Sequence, residues 1–274
     1  MLMDAKELAF IHDLYIAPDW GERFAELFDE HIELPEQGEI AYLGAGTGSH
    51  VLALAERVGE KTRIVCVEES SEQLDLARAK ANAVKADPRV EFHTAALDST
   101  ELQGARFQLV IVEASLLAPS RLPRLFAEAV RLAAPRSRVA LSTVTAASFG
   151  EFFSIYWEAL GRSDMEGSAT EIVGRLINEL PTVDATEEMA RRAGLRELSS
   201  WTRIEEFRFD SGNDFLASPL IKYLWLRRWL AQVTNEEARE RVRQEIKRLI
   251  DEERHSSYFP LTFKATLVSG TTEE

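Results

Sequence analysis

Short apolar runs and helical spacings alternate through the first half of the chain. Ile40 to Leu43, Arg63 to Val67, Val90 to Thr94, Leu109 to Val112 and Val139 to Thr143 are near-continuous apolar stretches of strand length, as expected of strands buried on both faces. Between them, apolar residues recur at helical spacing over Val51 to Arg57, Ser71 to Val84 and Leu122 to Ala133. The alternation from Ile40 to about Val144 predicts parallel βαβ units with right-handed crossovers. Ahead of it, residues 4 to 33 read as helix in two pieces broken near Ala17-Pro18-Asp19. Leu8, Ile11, Leu14 and Tyr15 are the apolar positions of the first piece, and Phe24, Leu27 and Phe28 those of the second.

The second half begins with five aromatic rings in the nine residues from Phe149 to Trp157. They suggest a lid or wall for a flat or apolar acceptor, with core packing as the competing reading. A helix is predicted over Pro181 to Ala193, capped by Thr182 or Asp184 and ended by Gly194. Strands are predicted over Leu195 to Phe209 and Leu261 to Val268, the last pairing antiparallel beside its predecessor. Between them lies a helical stretch from Asn213 to about His255. Its Leu220 to Leu230 part is apolar nearly all round, which fits burial against the core, a substrate lid or a homodimer contact. Arg227 and Arg228 beside Trp225 and Trp229 add a membrane-surface alternative. Glu236 to Arg254 alternates acids and bases as a solvated, ion-paired face does.

The chemistry concentrates after the first strand, at Gly44-Ala45-Gly46-Thr47-Gly48-Ser49-His50. Glycines at alternate positions accept positive φ and let a ligand lie on bare backbone, beside the unpaired amides of the next helix. Ser49 stands where a dinucleotide fingerprint needs its third glycine, which disfavours an NAD-dependent oxidoreductase, and no Gly-Lys-Ser/Thr follows to make a phosphate loop. About twenty residues on, the second strand ends in Glu68 and Glu69, where an acid in nucleoside-binding folds accepts from vicinal ribose hydroxyls. Glu68 is the better placed of the two. The competing reading is that both are solvated or start the following helix.

The G-x-G-x-G turn resembles motif I of the class I S-adenosylmethionine-dependent methyltransferases, and the order of elements that follows extends the resemblance. It implies a Rossmann-like, doubly wound, seven-stranded α/β sheet, mostly parallel with an antiparallel last strand. Residues 1–36 would be an N-terminal helical cap, 37–145 the cofactor-binding core, and 146–274 the remainder, with a helical insertion at 213–256. It further implies that Gly44, Ala45, Gly46 and Gly48 hold the methionine and ribose parts of S-adenosylmethionine, Glu68 the ribose, and Leu97 and Asp98 the adenine. Asp98 reads equally as a helix or turn cap. Tyr42 replaces an acid usual in the family, Ala96 falls where the adenine-loop acid is usual, and Pro135-Arg136-Ser137 replaces a Pro-Gly-Gly turn. Glu113, just past the fourth strand, is the candidate general base, or else a strand-end acid that caps a helix or meets solvent. His50 lines the site or lies on the helix surface. Tyr15, Phe149, Phe153 and Trp157 are the candidate acceptor-lining residues. Trp20 and His31 are further candidates for ligand contact, with packing against the core as the alternative. No metal is called for. Within the family the chain resembles the small-molecule methyltransferases of ubiquinone and menaquinone biosynthesis, and a regulator that binds the cofactor without turnover is the alternative.

The net charge of −14 over 274 residues disfavours nucleic acid as the acceptor, because binding to a polyanion draws on clustered Lys and Arg. One cysteine, Cys66, excludes an internal disulfide. Met1 to Glu7 lacks the basic start and apolar core of a signal peptide, and no apolar run approaches the length of a membrane span. A cytoplasmic protein is the expectation.

Overall fold

Strand β1 (Gly38–Leu43) pairs in parallel with β2 (Thr62–Glu68) on one side and with β4 (Phe107–Glu113) on the other. With β3 (Val90–Thr94), β5 (Ala133–Thr145), β6 (Leu195–Phe209) and β7 (Phe259–Thr272), these make a seven-stranded sheet in the order β3-β2-β1-β4-β5-β7-β6, in which the last strands are antiparallel. The computed structural model describes residues 4–84, 89–253 and 258–273. The end of the expected insertion, 254–256, and Met1 to Met3 lie outside them. Strand order reverses between β1 and β4, the place where open α/β sheets bind ligands beyond the carboxyl ends of their strands.

The chain divides into two compact units. The first comprises residues 1–143, 183–202 and 265–274, and the second 144–182 and 203–264. In the first, α3 (Ser49–Arg57), α4 (Ser71–Ala83) and α5 (Leu122–Leu132) are the crossover helices. The apolar strands β1, β2 and β4 are sealed on both faces, with Ile40, Leu43, Val67, Val110 and Val112 almost fully buried, whereas β3, expected to be buried likewise, lies at the edge of the sheet with Glu91, His93 and Thr94 exposed.

The N-terminal segment departs from expectation. No break occurs at Pro18: α1 (Ala5–Ile11) continues through a π-helical segment (His12–Gly21) into α2 (Glu22–His31). The wider turn absorbs the proline, whose missing amide is the one an α-helix would need there, and Glu22 donates to the Ala17 carbonyl five residues back. It also rotates the buried face. Ala9, Ile16 and Trp20 point inward, whereas the expected Leu14 and Tyr15 are 62% and 57% exposed. In α2 the expected Phe24, Leu27 and Phe28 are buried.

In the second unit, α6 (Gly150–Leu160), α7 (Glu166–Glu179), α9 (Gly212–Ala217), α10 (Leu226–Trp229) and α11 (Glu236–Glu253) surround an aromatic core. Phe152 stacks on Trp229 at 4.0 Å and on Phe215 at 5.5 Å, and Tyr156 donates to the Trp229 carbonyl at 3.0 Å. Phe149 keeps a φ of +63°, an unusual backbone for a bulky residue. Its ring is held between Trp225 and Phe263, and its amide donates to Thr262. The apolar run around Trp225 and Trp229 is therefore buried within this unit, and the membrane-surface alternative falls because both tryptophans face inward. Along α11, Arg239, Arg243 and Arg248 pair with Glu236, Glu240 and Glu245, the solvated face expected of it. Among the described residues no helix is long and apolar enough to cross a membrane.

Candidate active site

Beyond β1 the backbone turns through Gly44, Gly46 and Gly48 at φ of +81°, +54° and +80°. At Gly44 the need for glycine is doubled, because a Cβ there would collide with the carbonyl oxygen of Glu113 on the neighbouring strand. The turn is tied down by Gly44 and Ala45 amides donating to the Val67 carbonyl at 2.9 and 3.3 Å, and by Gly48 donating to Ala45. α3 starts immediately after it.

Glu68 faces this turn. Its Oε2 accepts from the Gly46 amide at 3.0 Å, and its Oε1 from the amides of Glu69 and Ser70 at 2.8 and 3.1 Å. Burial pushes its carboxyl above the ordinary range, and the three amides oppose that push. Glu69 points elsewhere. It is clamped by Arg121 and accepts from the Leu97 amide at 3.2 Å.

Arg121, which no sequence pattern singles out, also reaches Asp98 at 3.3 Å, and Arg124 stands 3.0 Å from the same carboxylate. Asp98 is thus ion-paired at the mouth of the β3 loop, and the Leu97 side chain is buried in the core cluster of the first unit. Both residues of the expected adenine loop have their side chains engaged by the protein.

Glu113, expected just past the fourth strand, is the last residue of β4; it accepts from the Ser115 amide at 2.9 Å and stands 3.4 Å from the Ser142 hydroxyl, its partner in register on β5. Its carboxyl is raised, chiefly by burial, with Ser115 and Ser142 opposing and the charge of Glu68 adding. Trp20 Nε1 donates to Ser115 Oγ at 2.8 Å, which puts an indole from the N-terminal segment over the end of β4. Tyr42 is buried at the end of β1. Its hydroxyl lies 2.9 Å from His50 Nδ1, and His50 Nε2 lies 3.2 Å from Asp29, which Arg57 also holds. Burial of Asp29 pushes its carboxyl up, but His50 and Arg57 outweigh that and leave it below the usual range. Tyr42 is thereby joined to an acid through a histidine. Nothing in the spacing of Tyr42, His50 and Asp29 announced that chain.

The aromatic residues expected to line the acceptor site divide. Phe149 and Phe153 are 1% and 4% exposed, with their rings in the core of the second unit, while Trp157 is 49% exposed and donates to Thr170 at 3.1 Å. Tyr15 stands in solvent on the first unit, and His31 stacks on Trp201 at 4.5 Å. His12 was passed over by sequence reasoning. It falls on the same stripe as Ala9, Ile16 and Trp20, and a polar residue in a buried stripe was the available signal. Among the described residues no cluster of His, Cys, Asp and Glu suits a metal ion.

Residues 40–136 match the family model of a methyltransferase domain. The fold is that of many solved structures. YcgJ from Bacillus subtilis is 14% identical, with 92% of this chain and 99% of that one covered at a TM-score of 0.59. Phosphoethanolamine N-methyltransferase 2 of Haemonchus contortus, in complex with S-adenosyl-L-methionine, is 14% identical, with 92% and 53% covered at 0.54. Geranyl diphosphate C-methyltransferase of Streptomyces coelicolor, in complex with Mg2+, geranyl diphosphate and S-adenosyl-L-homocysteine, is 13% identical, with 92% and 79% covered at 0.52. A sequence search of curated proteins finds no match. At these identities the structural likeness is one of fold.

Proposed function

We propose, from the match of residues 40–136 to a methyltransferase domain, that the chain is a class I S-adenosylmethionine-dependent methyltransferase that methylates a small-molecule acceptor with Glu113 as general base. The observation that carries the cofactor assignment is the Glu68 carboxylate set against the Gly46 amide. An acid at the end of β2 and bare backbone at the end of β1 form a cradle for a nucleoside, and Gly44, where a Cβ would strike the Glu113 carbonyl, lets the ends of β1 and β4 approach this closely. S-adenosylmethionine, when bound, supplies a sulfonium methyl for in-line displacement by an oxygen, nitrogen or carbon nucleophile.

The residues of the chain bind, orient and exclude water. Gly44, Ala45, Gly46 and Gly48 offer backbone to the cofactor, and Glu68 accepts from its ribose. Toward the adenine, the backbone beside Leu97 and the Arg121-paired Asp98 are what the β3 loop offers. Glu113 holds or takes a proton at its carboxylate, and its raised value suits a base better than an exposed glutamate would. Trp20 and Tyr42 keep this end of the sheet dry. A small acceptor fits the acidic chain better than a polyanion does. Tyr15 and Trp157, whose rings reach solvent, remain as candidates for contact with an apolar or planar acceptor.

Methyl-labelled S-adenosylmethionine incubated with a panel of small oxygen, nitrogen and carbon nucleophiles tests the proposal. Label is expected in an acceptor, with equimolar S-adenosylhomocysteine. Label moving only to nucleic acid or protein would contradict the small-molecule assignment, and bound cofactor with no transfer to any acceptor would favour a regulator.

A further inference from the structure

His12 opens the π-helical segment and lies on the glycine turn. A Cβ on Gly46 would stand 3.1 Å from His12 Cε1 and 3.9 Å from Nδ1, with Gln73 Oε1 at 3.6 Å. Nδ1 is buried and has no hydrogen-bond partner. A buried nitrogen left unpaired costs free energy, and such atoms in folded proteins call for an explanation. Burial pushes the imidazole down to about 4, with Asp13 opposing and Lys80 adding. At neutral pH the ring is therefore uncharged and has one donor and one acceptor nitrogen.

The surroundings are zwitterionic. Lys80 Nζ meets Asp13 at 2.6 Å, Ser49 Oγ at 3.1 Å and Thr47 Oγ1 at 3.4 Å, so an ion pair lies beside His12 along the same turn. Glu68 approaches the turn separately, through the Gly46 amide. An adenosyl cofactor has two chemically different ends: a nucleoside whose vicinal hydroxyls suit a carboxylate, and an amino acid that carries an ammonium and a carboxylate. The acid is already at hand for the first, and the orphan nitrogen beside a Lys–Asp pair matches the second. We propose, on the methyltransferase reading above, that His12 recognises the amino-acid end of the cofactor. Its unpaired Nδ1 hydrogen-bonds that zwitterion, which makes the N-terminal helix part of the cofactor site.

Two ligands separate the ends. S-adenosylhomocysteine has both, whereas 5′-methylthioadenosine keeps the nucleoside and the thioether and lacks the amino acid. Their dissociation constants are measured by calorimetry on the full chain, for the wild type, His12→Ala and His12→Phe. The second variant keeps a ring to fill the space and removes both nitrogens. Both variants are expected to bind S-adenosylhomocysteine about tenfold more weakly and 5′-methylthioadenosine within about twofold of the wild type. Equal weakening of the two ligands would assign His12 to the shape of the turn and overturn the proposal. So would a His12→Phe chain that binds S-adenosylhomocysteine as the wild type does. A folded wild type that binds neither ligand would instead overturn the methyltransferase reading, and this proposal with it.

Discussion

Glu68 meets three backbone amides, two on Oε1 and one on Oε2, which leaves Oε2 a second lone pair for a ligand hydroxyl. Glu68→Ala is expected to weaken S-adenosylhomocysteine binding by about 1–3 kcal/mol, while Glu69→Ala, which breaks the Arg121 clamp instead, has a smaller effect. Calorimetric titration of the two variants decides between the neighbours, and equal losses would remove the ribose assignment. Glu113 has a dual test. Its carboxyl lies above its ordinary value of 4.5 because of burial, so the folded state favours the protonated form. The stability it contributes is present at low pH and is lost as pH rises through the raised value. Glu113→Gln is therefore expected to melt no lower than the wild type at pH 7, to bind cofactor unchanged, and to lose turnover. Wild-type turnover should rise with pH through a midpoint above 4.5, a limb absent from the variant; full activity of Glu113→Gln would exclude the base. The placement of Glu68 and Glu113 at strand ends was legible because each closes an apolar strand pattern. His12, Tyr42 and Arg121 were not, because their partners lie on other elements and only the fold brings them together.

At the scale of elements, the core strands and crossover helices were readable to within a few residues apart from β5, which begins at Ala133 and not at the expected Val139, since buried parallel strands and amphipathic helices write their burial directly into the sequence. β6 was placed at its observed bounds, and α4 within one residue of its end. The N-terminal face was misread because a π-helical register changes which residues fall on one side, and no residue type marks that change. The aromatic cluster was ambiguous for another reason: rings that form a core and rings that line a site have the same composition, and only the exposure of Trp157 against the burial of Phe149 separates them. One element-level contact carries a pH prediction. Glu128 on α5 accepts from both the amide and the hydroxyl of Thr100, at 2.8 and 2.6 Å, and pairs with Arg131. Arg131 and Thr100 together hold its carboxyl down to about 2. A depressed folded value stabilises above the unfolded value of 4.5 and is lost as pH falls toward 2. Glu128→Gln is thus expected to cost about 1–2 kcal/mol at pH 7, after allowance for screening at the exposed arginine. The gap should close progressively below pH 4.5 in chemical denaturation; a gap independent of pH would reject the ionic account.

For the molecule as a whole, the order β3-β2-β1-β4-β5-β7-β6 puts the glycine turn of β1, the acid of β2 and the acid of β4 at the carboxyl edge of adjacent strands. The alternation in sequence predicts the parallel units, and the convergence of these three features follows from the strand order; neither names an acceptor. An acceptor pocket is made by side chains without a shared pattern, on elements whose placement the alternation does not fix. The central claim is that this edge binds an adenosyl cofactor, and the unfolding midpoint with S-adenosylhomocysteine, with NAD and with neither tests it most directly. At about a hundredfold excess over its dissociation constant a ligand stabilises the folded state by about 2.7 kcal/mol, which raises the midpoint by about several degrees. A rise with S-adenosylhomocysteine and none with NAD is the expected result. A cooperative transition that neither ligand moves, or that NAD alone raises, would contradict the account.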